Sequence, residues 1–166
     1  MSIKLTKNKR GKISNGMIRK AFANDVALIQ EIIKPYADRG EMLPRSLNDL
    51  YENLRDFSVY EKDNKVLGVV ALHVSWEDIA EIRSLAIREE SLFSGVGSAL
   101  VKYCMEEARS LHLKKTFVLT YSSGFFEKLG FSPVEKEKLP HKIWKDCISC
   151  SKFPACDEQA LIMELE

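Results

Sequence analysis

A chain of 166 residues, 45% apolar and 30% charged, has the length of one domain and is too short for two cores of ordinary size. Its 25 Lys and Arg against 24 Asp and Glu leave a formal charge of +1, which gives no broad electrostatic footprint for DNA or RNA. No stretch nears the roughly 18 apolar residues of a membrane span, and no apolar run of a signal peptide follows the basic start. A cytoplasmic protein is expected, with Cys104, Cys147, Cys150 and Cys156 kept as thiols.

Residues 1–16 hold five Lys and Arg and little that is apolar, and read as a flexible basic leader. Met17 is a second candidate start, and 17–166 reads as one domain whose tail, from about 136, carries three of the cysteines. A strand is expected over Met17 to Ala21. Asn24 or Asp25 then caps a helix with Val26, Ile29, Ile32 and Ile33 at helical spacing, until Pro35 and Gly40 break it. Ser46, with Asp49 three residues on, starts a second helix that carries Leu47, Leu50, Tyr51 and Leu54 on one face. Strands over 57–61 and 66–74, joined across Asp63-Asn64-Lys65, form a hairpin, and a third strand over 79–87 follows a turn at Trp76-Glu77-Asp78. The strongest helical period runs over 97–111 and buries Leu100, Val101, Cys104, Ala108 and Leu111. After it come a strand over 116–120, a helix over 122–129 stopped by Gly130, and a strand over 131–134. An irregular stretch over 139–157 and an edge strand over 160–165 end the chain. This order predicts an α+β, or mixed α/β, fold: a mainly antiparallel central sheet with helices on both faces.

The loop before the long helix, Ser94-Gly95-Val96-Gly97-Ser98, places two glycines where backbone N–H groups can converge at the positive end of a helix dipole. Such a loop either holds a phosphate or merely needs a positive φ. It is neither a Walker loop, lacking Gly-Lys-Ser/Thr, nor a GxGxxG fingerprint, because Leu100 fills the third glycine place.

Three segments in order, Glu81 to Ile87, Gly95 to Leu100, and Phe126-Glu127-Lys128-Leu129-Gly130-Phe131, resemble the successive signatures of the GCN5-related N-acetyltransferases (GNAT), over residues 17 to 135. The resemblance implies acetyl-CoA as cosubstrate and no metal. It implies that the backbone of Leu85, Ala86 and Ile87 pairs with the pantetheine arm, and that Ser94, Gly95, Val96, Gly97 and Ser98 take the pyrophosphate. Two departures stand out. Leu92 replaces the Arg or Gln that usually opens the loop, with no basic residue after it, and Phe126 replaces the frequent tyrosine acid. Met42 to Ser46, Ala71-Leu72-His73, Leu119-Thr120-Tyr121 and Leu139 to Lys142 further resemble the short bacterial N-acetylglutamate synthase branch, which opens arginine biosynthesis. That branch implies acetylation of the α-amino group of glutamate.

A dicarboxylate acceptor needs cations, and the planar guanidinium fork suits a carboxylate best. Arg45 with the Ser46 amide, Arg83, and Lys142 are the candidates to bind it, with Lys152 behind them; the plain alternative for each is a surface salt bridge. An α-amino group with a pKa of about 8 is mostly protonated at pH 7 and must lose its proton before it can attack. Glu81, matching the family's catalytic glutamate, is the expected base, or else only orders Arg83. With Phe126 unable to donate, Tyr121, Ser122 or Ser123 would protonate the departing thiolate, or it leaves unassisted; Tyr121 is the leading choice. Cys147-x2-Cys150-x5-Cys156, near His141, lacks the second Cys-x2-Cys pair of a zinc ribbon and reads as unlinked thiols. The partners expected are a small amino acid, with no nucleic acid or membrane, and a homodimer is left open. Another small amine as acceptor, or a non-catalytic acyl-CoA-binding module, are the competing functions.

Overall fold

The computed structural model describes residues 3–4, 16–140, 147–148 and 150–166. Of the expected leader, only Ile3–Lys4 and Gly16 lie within them; Ile3–Lys4 forms a short strand, β1, paired with β2 (Met17–Lys20). Then follow α1 (Val26–Asp38), α2 (Leu47–Glu52), β3 (Phe57–Lys62), β4 (Lys65–Trp76), β5 (Ile79–Ile87), α3 (Val96–Ser110), β6 (Lys115–Thr120), α4 (Ser123–Glu127), β7 (Ser132–Pro133) and β8 (Gln159–Glu164). The eight strands make one sheet in the order β1-β2-β3-β4-β5-β6-β8-β7, and every pairing is antiparallel except β5 with β6. The mixed α/β reading therefore holds.

β4 is apolar on both faces because both are covered. Val69 and Ala71 point to α1 and α2, packing with Ile29, Ile33, Leu50 and Phe57, while Val70 and Leu72 point to α3, packing with Leu100, Val101 and Cys104. The β3–β4 turn is made by Asp63 and Asn64, with φ of +51° and +58°, residue types that tolerate the left-handed region a tight hairpin demands.

Several expectations need correction. Pro35 does not break α1; it sits on the solvent face, where the Glu31 carbonyl that loses its helical donor is on an exposed residue, and the helix ends instead at Arg39 and Gly40, φ +72°. In α2 only Leu50 is buried, and Leu47 and Tyr51 are exposed, because one and a half turns cover a single position of the sheet. Leu111 is exposed: α3 ends at Ser110, His112 turns the chain at φ +58°, and Leu113 takes the buried place. β8 is not an edge strand, since it lies between β6, with six residue pairs, and β7.

Asp25 shows how the first helix is fixed. Its buried carboxylate accepts from the Phe22 N–H at 2.7 Å and from Arg19 Nη1 at 2.7 Å, and Arg19 also donates to Glu61 at 2.7 Å. Burial pushes the Asp25 carboxyl upward, but the bonds from Arg19 and Phe22 outweigh it and hold the group below its usual range. A depressed carboxyl stabilises the fold above its unfolded pKa of about 3.9, and that contribution is lost as pH falls through the folded value. Asp25→Asn should cost about 2 kcal/mol near neutral pH. The difference from wild type should shrink below about pH 4 in denaturant titrations followed by circular dichroism.

Candidate functional site

The site is built where two parallel strands part. β5 and β6 pair only at Ile79↔Lys115, Ala80↔Thr116 and Glu81↔Phe117, although β5 runs on to Ile87. Past Glu81 the β6-facing edge of β5 pairs with no residue of β6, and the wedge between the strands opens into a cavity of about 1230 Å³. A second irregularity shapes the same strand. Ser84 takes φ +54°, and the register with β4 slips between Val69↔Ala86 and Ala71↔Arg83. The extra residue is a β-bulge, which inverts the alternation of side chains. Glu81 and Arg83 therefore share the α1 face, whereas Leu85 and Ile87 turn toward the α3 core.

At one end of the cavity stands the start of α3. Gly95, at φ +85°, ψ 0°, caps it, and the first helical bond is Ala99 N–H to Gly95 O at 3.0 Å. The amides of Val96, Gly97 and Ser98 precede that bond and gather at the positive end of a 15-residue helix. This arrangement can hold an anion through backbone alone. Phe125 from α4 lies beneath, within 3.5 Å of where a Cβ on Gly97 would stand.

The other end collects charge. Glu81 lines the cavity with Arg83, whose Nη1 is 3.7 Å from Glu81 Oε2 and whose Nη2 is 3.9 Å from Asp56. Asp56 also meets His73 Nδ1 at 2.6 Å, and His73 pairs across the strands with Glu81. Arg45 lines the same end, largely buried, with Nη1 3.3 Å from Asp49. Among the described residues, Arg45, Arg83, Lys136 and Lys152 line the cavity with Glu41, Glu81, Glu137 and Glu158. Burial pushes the Glu158 carboxyl above the usual range.

The tail folds back over this space. Lys152 Nζ donates to Gly40 O at 2.7 Å and to the Tyr121 hydroxyl at 2.5 Å, tying the loop after α1 to the end of β6. Burial, and a hydrogen bond to the Asp157 carboxylate, raise the Tyr121 phenol despite the nearby ammonium, so it is protonated at neutral pH, with Lys152 bonding its oxygen and Asp157 holding its O–H. Cys147, Cys150 and Cys156 also line the cavity, and burial, then Cys156 and Glu81, push the Cys147 thiol up. Among the described residues no three His, Cys, Asp or Glu side chains group as metal ligands, and no helix is long and apolar enough to cross a membrane.

Comparison with known proteins fits this geometry. Residues 26–131 match the Acetyltransferase (GNAT) family. An uncharacterised N-acetyltransferase of Chlorobaculum tepidum is 40% identical over 148 residues, 89% of this chain and 96% of that one. The chain belongs to the GNAT family of acetyltransferases. It is also similar to an amino-acid acetyltransferase of Mycobacterium tuberculosis, 37% identical over 133 residues, 78% of this chain and 76% of the relative. A solved N-acetylglutamate synthase of Neisseria gonorrhoeae, complexed with coenzyme A and N-acetyl-glutamate, superposes with a TM-score of 0.84 at 27% identity. That match takes 93% of this chain but spans only 36% of the longer protein.

In this GNAT chain the cavity brings together Glu81, Tyr121, Leu85, Ile87, Gly95, Gly97, Ser98, Arg45 and Arg83. Ala86 and Val96 have buried side chains and offer backbone only. The Ser94 hydroxyl bonds back to Ser91 O, and the Ser46 hydroxyl accepts from Asp49 N–H at 3.1 Å as the cap of α2, so both serve turns. Lys142 and His141 lie outside the described residues. Phe126 is buried between Phe125 and Phe131, edge-on to both, and its role is packing. Sequence reasoning missed the three tail cysteines as cavity residues and gave Lys152 too little weight. Their segment has no period that would place it over the sheet.

Gly68 sets how closely α3 approaches. A Cβ there would stand 2.9 Å from Ile87 Cδ1, 3.1 Å from Leu100 Cδ1 and 3.2 Å from Val96 Cγ1. Gly68→Val should therefore push the first turn of α3 outward. The expected cost is about 1 to 3 kcal/mol in denaturant unfolding, with faster hydrogen exchange at the Val96–Ser98 amides than in wild type.

Proposed function

We propose that this acetyltransferase moves the acetyl group of acetyl-CoA to the α-amino group of L-glutamate, as an N-acetylglutamate synthase of the arginine pathway in the cytoplasm. The observation that carries the reading is one cavity with an amide cradle at one end, two buried-side arginines at the other, and Glu81 at the branch between them. The resemblance to amino-acid acetyltransferases supports the same acceptor class.

On this reading the Val96–Ser98 amides and the α3 dipole hold the pyrophosphate, and the β5 backbone from Leu85 to Ile87 pairs with the pantetheine amides, at Ile87 in exchange for the Tyr36 hydroxyl that now bonds its N–H and carbonyl. Arg45 and Arg83 hold the acceptor's carboxylates through charge-assisted bonds. Glu81 takes the ammonium proton, directly or through a water, freeing the nitrogen lone pair for attack on the thioester carbonyl. A β5 N–H at the bulge, at Leu85 or Ala86, steadies the oxyanion without any side chain. Tyr121, protonated and lining the same space, gives its proton to the departing thiolate after its O–H turns from the Asp157 carboxylate. Because a thiol of pKa about 8.5 is already a fair leaving group, that help is modest.

Acceptor panels test the substrate. Glu81→Gln should lower kcat/KM for glutamate about 100-fold at pH 7 and recover in part at high pH, where free amine no longer needs a base. A flat pH profile with near-normal activity would remove Glu81 as base.

Arg45→Ala should raise KM for glutamate about 10- to 30-fold with KM for acetyl-CoA unchanged; Asp49 already satisfies part of this guanidinium, which limits the loss. Glu41, Glu137 and Glu158 on the same lining favour a second reading, a cationic amine as acceptor. Turnover of a polyamine faster than glutamate would select it.

A further inference from the structure

Phe93 breaks two local rules at once. Its φ is +57°, in the left-handed region that disfavours bulky side chains, and its side chain is fully exposed, at 105% of the reference area, while lining the cavity beside Gly95. The loop that forms the anion cradle carries no cation. Residues 89–101 contain no Lys, Arg or His, and Arg88 is committed to Glu31 at 2.9 Å and to Val66 O at 3.1 Å. The Ser94 hydroxyl is turned back to Ser91 O. What the loop offers instead is π surface, the exposed ring of Phe93, with the half-buried Phe125 of α4 lining the same cavity beside Gly97. A ligand that matches anion-binding amides beside an exposed aromatic ring is a nucleotide, with its phosphates on the amides and its base on the ring.

We propose that Phe93 is the stacking platform for the purine of the nucleotide-bearing acyl donor, supplying by ring contact part of the affinity that a loop cation would otherwise give. The proposal rests on the reading of acetyl-CoA as donor. Asn tolerates the left-handed region, so Phe93→Asn removes the ring while keeping the loop shape, and exposure of the site leaves folding intact. Calorimetric titration with acetyl-CoA and with acetyl-4′-phosphopantetheine, which has no purine, separates the ring's role from the loop's. Phe93→Asn should weaken acetyl-CoA about tenfold, as loss of one stacked base does, and change the truncated ligand less than twofold. Phe93→Tyr should bind both as wild type does. The fluorescence of 1,N6-etheno-CoA should fall on binding to wild type and to Phe93→Tyr, but not to Phe93→Asn.

Equal losses for both ligands, or acetyl-CoA affinity within twofold of wild type in Phe93→Asn, would overturn the platform. So would loss of self-association in sedimentation with acetyl-CoA affinity unchanged, which would make the ring a contact to a second copy. Wild-type protein that binds neither ligand would overturn the donor reading itself.

Discussion

Everything at the site depends on the failure of two adjacent strands to stay paired. Parallel strands lie about 4.8 Å apart, too close for anything to enter between them. β5 and β6 keep that spacing for three residue pairs, which the buried Phe117 and Ala80 anchor from opposite faces, and then diverge. The last pair contains Glu81, so the carboxylate stands where the sheet forks. Beyond it the β5 backbone leaves β6: at Ile87 the Tyr36 hydroxyl of α1 accepts from the N–H at 3.2 Å and donates to the carbonyl at 2.7 Å, and a backbone polar group without such a partner takes water or a ligand.

The bulge at Ser84 makes that fork chemically useful. Without the extra residue, Glu81, Arg83, Leu85 and Ile87 would line one face of β5. With it, the charged pair faces α1 and α2 while Leu85 and Ile87 pack toward α3, so a single strand presents charge to one half of the cavity and apolar wall to the other. The α1–α2 loop then brings Arg45 to the charged half, and α3 brings its first turn to the apolar half. Gly68 is the least conspicuous part of this arrangement, yet a side chain there would crowd the methyl groups of Ile87, Leu100 and Val96 and force them to shift.

Most of the fold was legible because it follows local rules. The hairpin turn, the period of α3, the Ser46 cap and the Gly130 stop all use residue types whose conformational preferences agree with the tertiary structure. The errors arose where tertiary context decides: Leu47 and Leu111 have helical spacing but no partner surface, and β8 looked like an edge because β7, its outer neighbour, is only two residues long. For the site, the glycine loop and Glu81 were readable from pattern and resemblance. The bulge was not placed by any period. The tail's cavity residues were invisible too, since Lys152 reaches Gly40 across 112 positions of chain and no local signal encodes such a contact.

The distribution of left-handed residues separates turn geometry from site geometry. Among the described residues, five non-glycine residues have positive φ. Asp63, Asn64 and His112 are at a hairpin and a helix end, where short or polar side chains make such conformations cheap. Ser84 and Phe93 have no such excuse in local structure: one sits inside a strand and the other carries a large aromatic ring into solvent. Both line the cavity, on either side of the apolar wall. Conformational cost of this kind persists where surrounding structure imposes it, and it clusters at binding sites. For Ser84 the surroundings suffice, because β4 registers firmly on both sides of the bulge. Phe93 draws no such support through its ring, which stands fully exposed at the cavity, and the proposed stacking on the donor's purine is the role that exposure would serve.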